Sequence, residues 1–228
     1  MPDNLFKEDY TYKDGVCHII SDTPKGITTA KKSINHNYQQ LENYIQSDQN
    51  FFRSFKPTLV PNEPLVAKLM ALAAQKVNVG PMAAVAGVIA DLAVLDMQKV
   101  GCKVAVVEDG GEISAVSDRP IDVALAAGNE PLSKRFGFRL DTFPIGVATS
   151  SGRFSHAFSF GDAEAVTVFC ENAGLADAAA TAVCNVVKGD VEAGIAAGIK
   201  QSLNIPEVSG VLILYQGKVG MAGKIPKI

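Results

Sequence analysis

The chain has 228 residues, of which 47% are hydrophobic and 20% charged, and its formal net charge is −3. Its lysines and arginines are scattered along the sequence, which excludes the continuous basic surface that binds nucleic acid. No apolar run of membrane-spanning length is free of charges and glycines, and the first residues lack the apolar core of a signal peptide, so we expect a cytoplasmic protein without a membrane span.

Hairpins and pairs of helices dominate the predicted elements. In chain order these are a hairpin over 10–20, helices over 34–55, 65–77 and 83–99, strands at 103–107, 113–116, 121–126, 145–149, 156–160 and 165–170, helices over 175–187 and 191–203, and a closing hairpin that begins at 210–215. This order, unlike strict βαβ alternation, predicts the α+β class with antiparallel or mixed sheets. We expect one domain over residues 1–228, in which residues 1–77 and 78–228 could form two lobes.

The alanine-rich helix predicted over 175–187 carries two polar side chains on one face. Asp177 and Thr181 are four residues apart, and positions i and i+4 share a helix face. Because the segment is otherwise apolar, a carboxylate and a hydroxyl there need a partner inside the protein. A hard cation such as Mg²⁺ with a bound phosphate is one such partner. Capping of the helix start by Asp177 and back-bonding of Thr181 to the preceding turn are the local alternatives.

Three turns that contain glycine could present backbone N–H groups to a phosphate. Glycine removes the Cβ, so that a ligand can approach the main chain closely. The turns lie at 79–81, 109–112 and 149–153. The alternative for the turn at 109–112 is an ordinary hairpin turn, and the alternative for 149–153 is a polar loop whose side chains satisfy its own backbone. The candidate binding residues in these turns are Gly80, Asp109, Gly110, Gly111, Glu112, Ser150, Ser151 and Gly152.

Histidine and cysteine supply the remaining candidates for chemistry. His156, at a predicted strand start, is either a catalytic acid–base group or a structural residue. The four cysteines lack the spacing of a zinc or redox motif and lie in apolar stretches, which predicts structural burial. Cys17 is the candidate for a reactive thiol, because the neighbouring His18 could lower its pKa.

The order of these motifs over residues 78–188 resembles the ApbE-type flavin transferases. In that family a small-residue helix is followed by Asn-x-Gly-Gly-Asp/Glu, by Ala-Thr-Ser-Gly and by Ala-Asp-Ala-x-Ala-Thr-Ala. The chain is similar, more closely, to a smaller group of ApbE-like proteins from anaerobes and archaea. The resemblance implies an ApbE-like (T-fold-like) α+β domain that binds FAD with Mg²⁺ and transfers the FMN half to a threonine of a partner protein.

The resemblance also implies roles for particular residues. Asp177 and Thr181 correspond to metal ligands, and the turn from Gly110 to Glu112 corresponds to part of the flavin nucleotide site, with residues 150–152 beside it. The family's His-x-x-Asp-Pro-x-Thr-Gly is replaced here by a shorter segment in which His156 is the candidate catalytic remnant.

Two further interpretations stay open at this point. One is a non-flavin accessory or carrier factor in anaerobic sulfur assimilation, in the formation of homocysteine, which requires a reactive thiol such as Cys17. The other is a structural homodimer that packs through the small-residue helix over 83–93.

Overall fold

An eight-stranded sheet is the frame of the fold. The computed structural model describes residues 5–13, 15–124, 137–152 and 159–227, and every strand pairing among them is antiparallel. The strand order in the large sheet is β1-β2-β3-β4-β7-β8-β9-β10, and β5 pairs with β6 in a separate ribbon. The strands are β1 (Phe6–Tyr12), β2 (Gly15–Ser21), β3 (Ala105–Asp109), β4 (Glu112–Val116), β5 (Ile121–Ala124), β6 (Gly137–Leu140), β7 (Ile145–Ser150), β8 (Ala165–Cys170), β9 (Val208–Tyr215) and β10 (Lys218–Gly223).

Six α-helices and one short 3₁₀ helix lie within the described residues. They are α1 (Pro24–Ser47), α2 (Gln49–Arg53), α3 (Leu65–Val77), the 3₁₀ helix Pro81–Ala84, α4 (Val85–Lys99), α5 (Ala173–Cys184) and α6 (Val191–Leu203). The α+β class is therefore confirmed, and the sheets are antiparallel.

Both predicted boundaries of the helix over 34–55 are wrong. It begins at Pro24, because Thr23 caps it by accepting the Gly26 N–H, and it ends at Ser47. Asp48 then caps the separate helix α2 by accepting the Phe51 N–H. Strand β6 was not predicted, and most of the strand predicted over 156–160 lies outside the described residues, as does Asp14 of the first hairpin.

Alternation along the strands separates two cores. On β3, Ala105 and Val107 face the helices, whereas Val106, like Val104 just before the strand, belongs to a smaller core on the opposite face, which the ribbon of β5 and β6 covers. Because side chains on a strand alternate between faces, consecutive polar residues at the end of β3 must point to opposite sides of the sheet. Asp109 therefore points toward the helices, and Glu108 points away from them.

Helices α4 and α5 cross at very short range, which small residues permit. A Cβ placed on Gly87 would lie 2.2 Å from the Ala173 carbonyl oxygen, and one on Gly174 would lie 2.5 Å from a Val88 methyl carbon. Asp91 fixes the crossing, since its carboxylate accepts the N–H groups of Ala173 and Gly174 at 2.9 and 2.8 Å. The close helix packing expected from the small residues of 83–93 is thus found within one chain, and the predicted homodimer stays a prediction.

One stretch among the described residues, Pro81–Lys99, has the length and apolarity to cross a membrane, with a mean hydropathy of 1.4. Its α4 portion packs against α1, α5, β3 and β4, as expected of a core helix.

Candidate functional site

Most of the predicted site residues lie at one end of the sheet. The β3–β4 turn at Gly110 and Gly111 and the end of β7 at Ser150 are on the same side, because β4 and β7 pair antiparallel with Ile113 opposite Val147. The loop after β7 continues there, and the Gly152 N–H donates to the Ala163 carbonyl at 3.0 Å. This end of the sheet is called the turn edge below.

Gly110 and Gly111 form the hairpin turn. Their φ angles are +67° and +110°, the positive values that a two-residue turn of the primed type requires, and Asp109 pairs with Glu112 directly across it. A Cβ on Gly111 would meet no other atom within 4 Å, so this residue borders open space. The hairpin-turn interpretation is confirmed, and the open glycine also leaves room for a ligand.

Asp109 anchors the turn to the interior. Tyr38 of α1 donates its hydroxyl to Asp109 Oδ2 at 2.7 Å, and the Cys17 thiol of β2 donates to Oδ1 at 3.3 Å. Burial raises the pKa of Asp109, and these two hydrogen bonds lower it again. Both carboxylate oxygens are thus engaged within the protein, so Asp109 positions the turn.

Glu112 and Asp177 are two carboxylates whose ionised forms are disfavoured by burial and by other carboxylates nearby. Burial and the nearby carboxylates of Asp177 and Asp109 raise the pKa of Glu112 well above its usual range. Burial raises the pKa of Asp177 to about 7, and the carboxylates of Asp109 and Asp91 raise it as well, whereas the backbone N–H groups of Gly87 and Ala86 lower it. Asp177 is half-buried and its carboxylate accepts the Gly87 N–H of α4, and desolvation between the packed helices is the main cause of the shift.

The capping interpretation of Asp177 is wrong. The N-cap of α5 is Asn172, which accepts the Leu175 N–H at 2.9 Å, and the carboxylate of Asp91 accepts the first free N–H groups of the helix. Asp177 lies one turn further on and accepts the Gly87 N–H of α4 at 3.1 Å. Thr181, one turn after Asp177, is buried. Asp177 therefore does not cap the start of α5.

Ser150 is a buried polar residue at the turn edge. Its Oγ is buried and has no hydrogen-bond partner among the residues that the structure describes. The Cys184 thiol is a polar neighbour of Ser150, but outside hydrogen-bond geometry. Such groups are rare in protein interiors and need an explanation, for which a bound ligand is one candidate. Within the described part of the loop, Ser150 does not fit the alternative of a polar loop that satisfies its own hydrogen bonds.

Gly80 and Gly152 have packing reasons to be glycine. A Cβ on Gly80 would lie 1.8 Å from the Ser54 carbonyl oxygen, and one on Gly152 would lie 1.9 Å from that of Gly161. Ser151, between Ser150 and Gly152, is buried. The two glycines thus hold the surrounding loops close together, and their predicted contact with a ligand stays a prediction.

His156 lies outside the described residues, so its predicted catalytic role stays a prediction. In the described part of the chain, no three side chains of His, Cys, Asp or Glu are grouped closely enough to hold a metal by themselves. A metal bound at Asp177 would therefore need further oxygen ligands from water or substrate.

Sequence reasoning missed Asp91, Gly87 and Tyr38. The signal for Asp91 was present, since it is the one charged residue in the apolar run over 83–95. Gly87 and Tyr38 gave no local signal, because their partners are 90 and 71 residues away in sequence.

All four cysteines are free and buried, as predicted. Burial is the largest influence on the thiol of Cys17 and raises its pKa, and the neighbouring Asp109 raises it further. Burial also raises the pKa of Cys170 to about 12 and raises that of Cys184. Because the thiolate is the nucleophile, none of these three groups is activated at neutral pH.

We expect the native protein to react slowly with a thiol reagent such as DTNB. All four thiols should become reactive only on unfolding in guanidinium, which the absorbance of the released chromophore measures. One thiol that reacts within seconds in the native protein would contradict this expectation and favour a cysteine-based function.

Comparison with known proteins decides the family. A sequence model of the family described as "AbpE bacteria" matches residues 18–206, most of the chain. The chain belongs to this family. It is 39% identical to a UPF0280 protein of Methanococcus vannielii over 98% of the chain and 93% of that protein, and 42% identical to one of Methanospirillum hungatei over 79% and 75%. These relatives are archaeal, as the resemblance to ApbE-like proteins of anaerobes and archaea predicted.

The family fold is also that of solved ApbE structures. The apo flavinyl transferase ApbE of Pseudomonas stutzeri is 15% identical, with a TM-score of 0.65 over 96% of the chain and 94% of that structure. The ApbE protein of Thermotoga maritima is 13% identical, with a TM-score of 0.57 over 97% of both chains. At these identities the likeness concerns the fold, and the predicted ApbE-like fold is confirmed.

Proposed function

We propose that this ApbE-like protein binds a flavin nucleotide, FAD or FMN, or a related diphosphate together with Mg²⁺ at the turn edge. Asp177 and Thr181 would hold the metal, and the turn from Gly110 to Glu112 would face the phosphates. Ser150, Ser151 and Gly152 would line the same site, with Gly80 beside them. The family membership and the fold shared with flavin transferases support the ligand class.

The carboxylates of Asp177 and Glu112 carry this proposal. Desolvation, other carboxylates and backbone N–H groups are the largest influences on the pKa values of both, and no basic side chain is among these. A protein that buries two carboxylates without a cation gains nothing in stability from them, and such perturbed groups cluster at functional sites. A divalent cation would supply the missing positive charge.

The residues present fit Mg²⁺ better than a metal bound by protein side chains alone. Mg²⁺ is commonly bound through one or two carboxylates together with waters and substrate phosphates. One carboxylate and one hydroxyl on α5, with Glu112 nearby and no larger metal-binding cluster among the described residues, suit that pattern. When bound, the metal would neutralise charge on a pyrophosphate under attack.

The proposed reaction is cleavage of the pyrophosphate of FAD. The bond from the FMN phosphorus to the bridging oxygen breaks, AMP leaves, and the FMN phosphorus forms a bond to an oxygen of the acceptor. The acceptor is a threonine of a partner protein in transfer, or water in hydrolysis, and its proton leaves with AMP or to solvent. His156 is the proposed acid–base group, and we propose the cytoplasm as the location.

A thermal-shift series tests the proposal. FAD, FMN, ADP and buffer are each added with and without Mg²⁺, because a ligand that binds only the folded state raises the Tm by mass action. We expect FAD with Mg²⁺ to raise the Tm by several degrees and FAD alone to raise it far less. Equal Tm values with and without Mg²⁺ for every nucleotide would overturn the proposal.

The sulfur-assimilation alternative gains no support. It requires a reactive thiol, whereas the Cys17 thiol is buried and donates a hydrogen bond to Asp109. The burial of the other cysteines gives them no access to a small-molecule substrate in the native state.

A further inference from the structure

The first hairpin extends past the glycine turn at the turn edge. Cys17 of β2 pairs with Asp109, the last residue of β3, and Asp109 pairs with Glu112 across the turn. Strands β1 and β2 continue beyond Cys17 to the pair of Tyr12 and Gly15. At the rise of a strand, these two further residues carry the hairpin roughly 7 Å past the last pair of β3 and β4. Tyr12 therefore lies on the open side of the glycine turn.

Tyr12 lies on the sheet face that carries the proposed site. Side chains two residues apart on a strand share a face, and Tyr10, two residues before Tyr12, packs against the core beneath the helices. Glu112 lies on the same face, because Ser114, two residues further along β4, donates to Asp91 of α4 at 2.7 Å. The Tyr12 ring and the Glu112 carboxylate are therefore on the same side of the sheet at its turn edge.

A second aromatic ring, from α1, supports the ring of Tyr12. The rings of Tyr12 and Tyr38 are stacked, with centroids 4.7 Å apart and an angle of 9° between their planes. Tyr38 donates its hydroxyl to Asp109 at 2.7 Å, which joins the stack to the residue that begins the glycine turn. Tyr12 donates its hydroxyl to Glu42 of α1 at 3.2 Å. Both rings are thus held in one orientation before any ligand arrives, which lowers the entropy lost on binding.

The stack does not cover the whole of Tyr12, which is half-buried. Lys13 Nζ lies over the Tyr12 ring, 5.7 Å from its centroid, and the Lys13 side chain is 63% exposed and forms an ion pair with Glu42. A cation in this position marks the negative face of the aromatic ring. Because a long exposed side chain can change rotamer, a planar group from a ligand can take this place over the ring.

We propose that Tyr12, supported by Tyr38, binds the planar aromatic ring of the nucleotide whose phosphates face the glycine turn. The proposal rests on the proposed function, because it needs a nucleotide at the turn edge. Adenine and isoalloxazine both have a flat π face, which stacks on an aromatic side chain whatever its hydrogen-bonding groups. Strand β1 lies two strands, or about 10 Å, from β3. A nucleotide spans such an offset, because a ribose or ribityl chain separates its ring from its phosphates.

The test measures the Kd of FAD with Mg²⁺ by calorimetry for the wild type, Tyr12→Leu, Tyr12→Phe and Phe6→Leu. Leucine removes the flat ring, whereas phenylalanine keeps it and removes only the hydrogen bond to Glu42. Phe6 is the matched control, because it lies at the other end of the same strand and is 42% exposed. We expect Tyr12→Leu to raise the Kd about tenfold, Tyr12→Phe to regain most of the affinity, and Phe6→Leu to leave the Kd unchanged.

Three simpler ligands, each with Mg²⁺, show which part of the nucleotide Tyr12 contacts. Pyrophosphate has no ring, so Tyr12→Leu should leave its Kd unchanged, whereas a general distortion of the site would raise it. ADP carries adenine without isoalloxazine, and FMN carries isoalloxazine without adenine. The ligand of these two whose Kd rises in Tyr12→Leu identifies the ring that stacks on Tyr12.

Three results would overturn the inference alone, each with FAD bound by the wild type. The first is a Kd of FAD for Tyr12→Leu within twofold of the wild type. The second is an equal loss of affinity for pyrophosphate and FAD, and the third is an equal loss in Tyr12→Phe and Tyr12→Leu. Either of these last two would show that Tyr12 supports the hairpin and does not contact the ring. Absence of nucleotide binding by the wild type would instead reject the proposed function, and this inference with it.

Discussion

Asp177→Asn is expected to abolish the stabilisation that Mg²⁺ and FAD give together. The amide oxygen can still accept the Gly87 N–H, so the contact between α4 and α5 is kept. The variant loses the negative charge that would bind the cation, and we expect the Kd for FAD with Mg²⁺ to rise at least about 30-fold, the loss of a charge-assisted contact of roughly 2 kcal/mol. Calorimetry with and without Mg²⁺ measures the change. Glu171→Gln is the control, since Glu171 is an exposed carboxylate just before α5.

The same substitution should not weaken the ligand-free protein. Burial raises the folded-state pKa of Asp177 from 3.8 to about 7, so the folded protein binds this proton more tightly than the unfolded chain. The wild type consequently loses stability as pH rises from about 4 to 7, by an amount on the order of 2 to 4 kcal/mol. Asp177→Asn lacks this loss, and its free energy of unfolding relative to wild type should rise across that window. An Asp177→Asn variant that is unfolded without ligand would contradict this expectation.

Gly87→Ala is expected to destabilise the fold and to weaken ligand binding together. Alanine normally stabilises a helix relative to glycine by about 1 kcal/mol. Here its Cβ would lie 2.2 Å from the Ala173 carbonyl oxygen and 2.5 Å from the carbonyl carbon, so α4 and α5 must separate. We expect a net loss of about 2 kcal/mol in the free energy of unfolding, measured by urea denaturation.

The separation of α4 and α5 would also move the Gly87 N–H away from Asp177. Mg²⁺-dependent FAD binding should therefore weaken in the fraction that is still folded. Gly15→Ala is the control, because a Cβ there would have its nearest neighbour, the Tyr12 carbonyl oxygen, at 3.5 Å. A Gly87→Ala protein as stable as wild type would show that the two helices can move apart without cost.

The local elements were predictable where short-range chemistry decides them. Gly110-Gly111 predicted the hairpin of β3 and β4, because the backbone of a tight turn needs residues that tolerate positive φ. Asp14-Gly15 predicted the first hairpin, but there Lys13 has the positive φ and Gly15 already pairs with Tyr12 in the strands. The helix from Leu65 was placed correctly by its apolar spacing. The long first helix was misjudged, because its polar first turns carry little periodicity and its start depends on the cap at Thr23.

The sequence predicted only part of the candidate site. Asp177 and Thr181 stood out because two polar residues at helical spacing interrupt an apolar helix. Their local alternative, capping by Asp177, could be rejected only from the structure, in which Asn172 and Asp91 satisfy the helix start. No pattern near Ser150 could show that its hydroxyl is buried without a hydrogen-bond partner in the part of the chain that the structure describes.

The sequence by itself determined the fold class, the hairpin turns, the family resemblance and the helix face that carries Asp177 and Thr181. These follow from side-chain periodicity and turn chemistry, which act over a few residues. The tertiary structure alone decided that burial and the carboxylate of Asp177 raise the pKa of Glu112, and that Tyr38 and Cys17 donate hydrogen bonds to Asp109. Those pairings join residues that are mostly far apart in the chain, and burial and the electrostatics of charged groups depend on which elements the fold brings together.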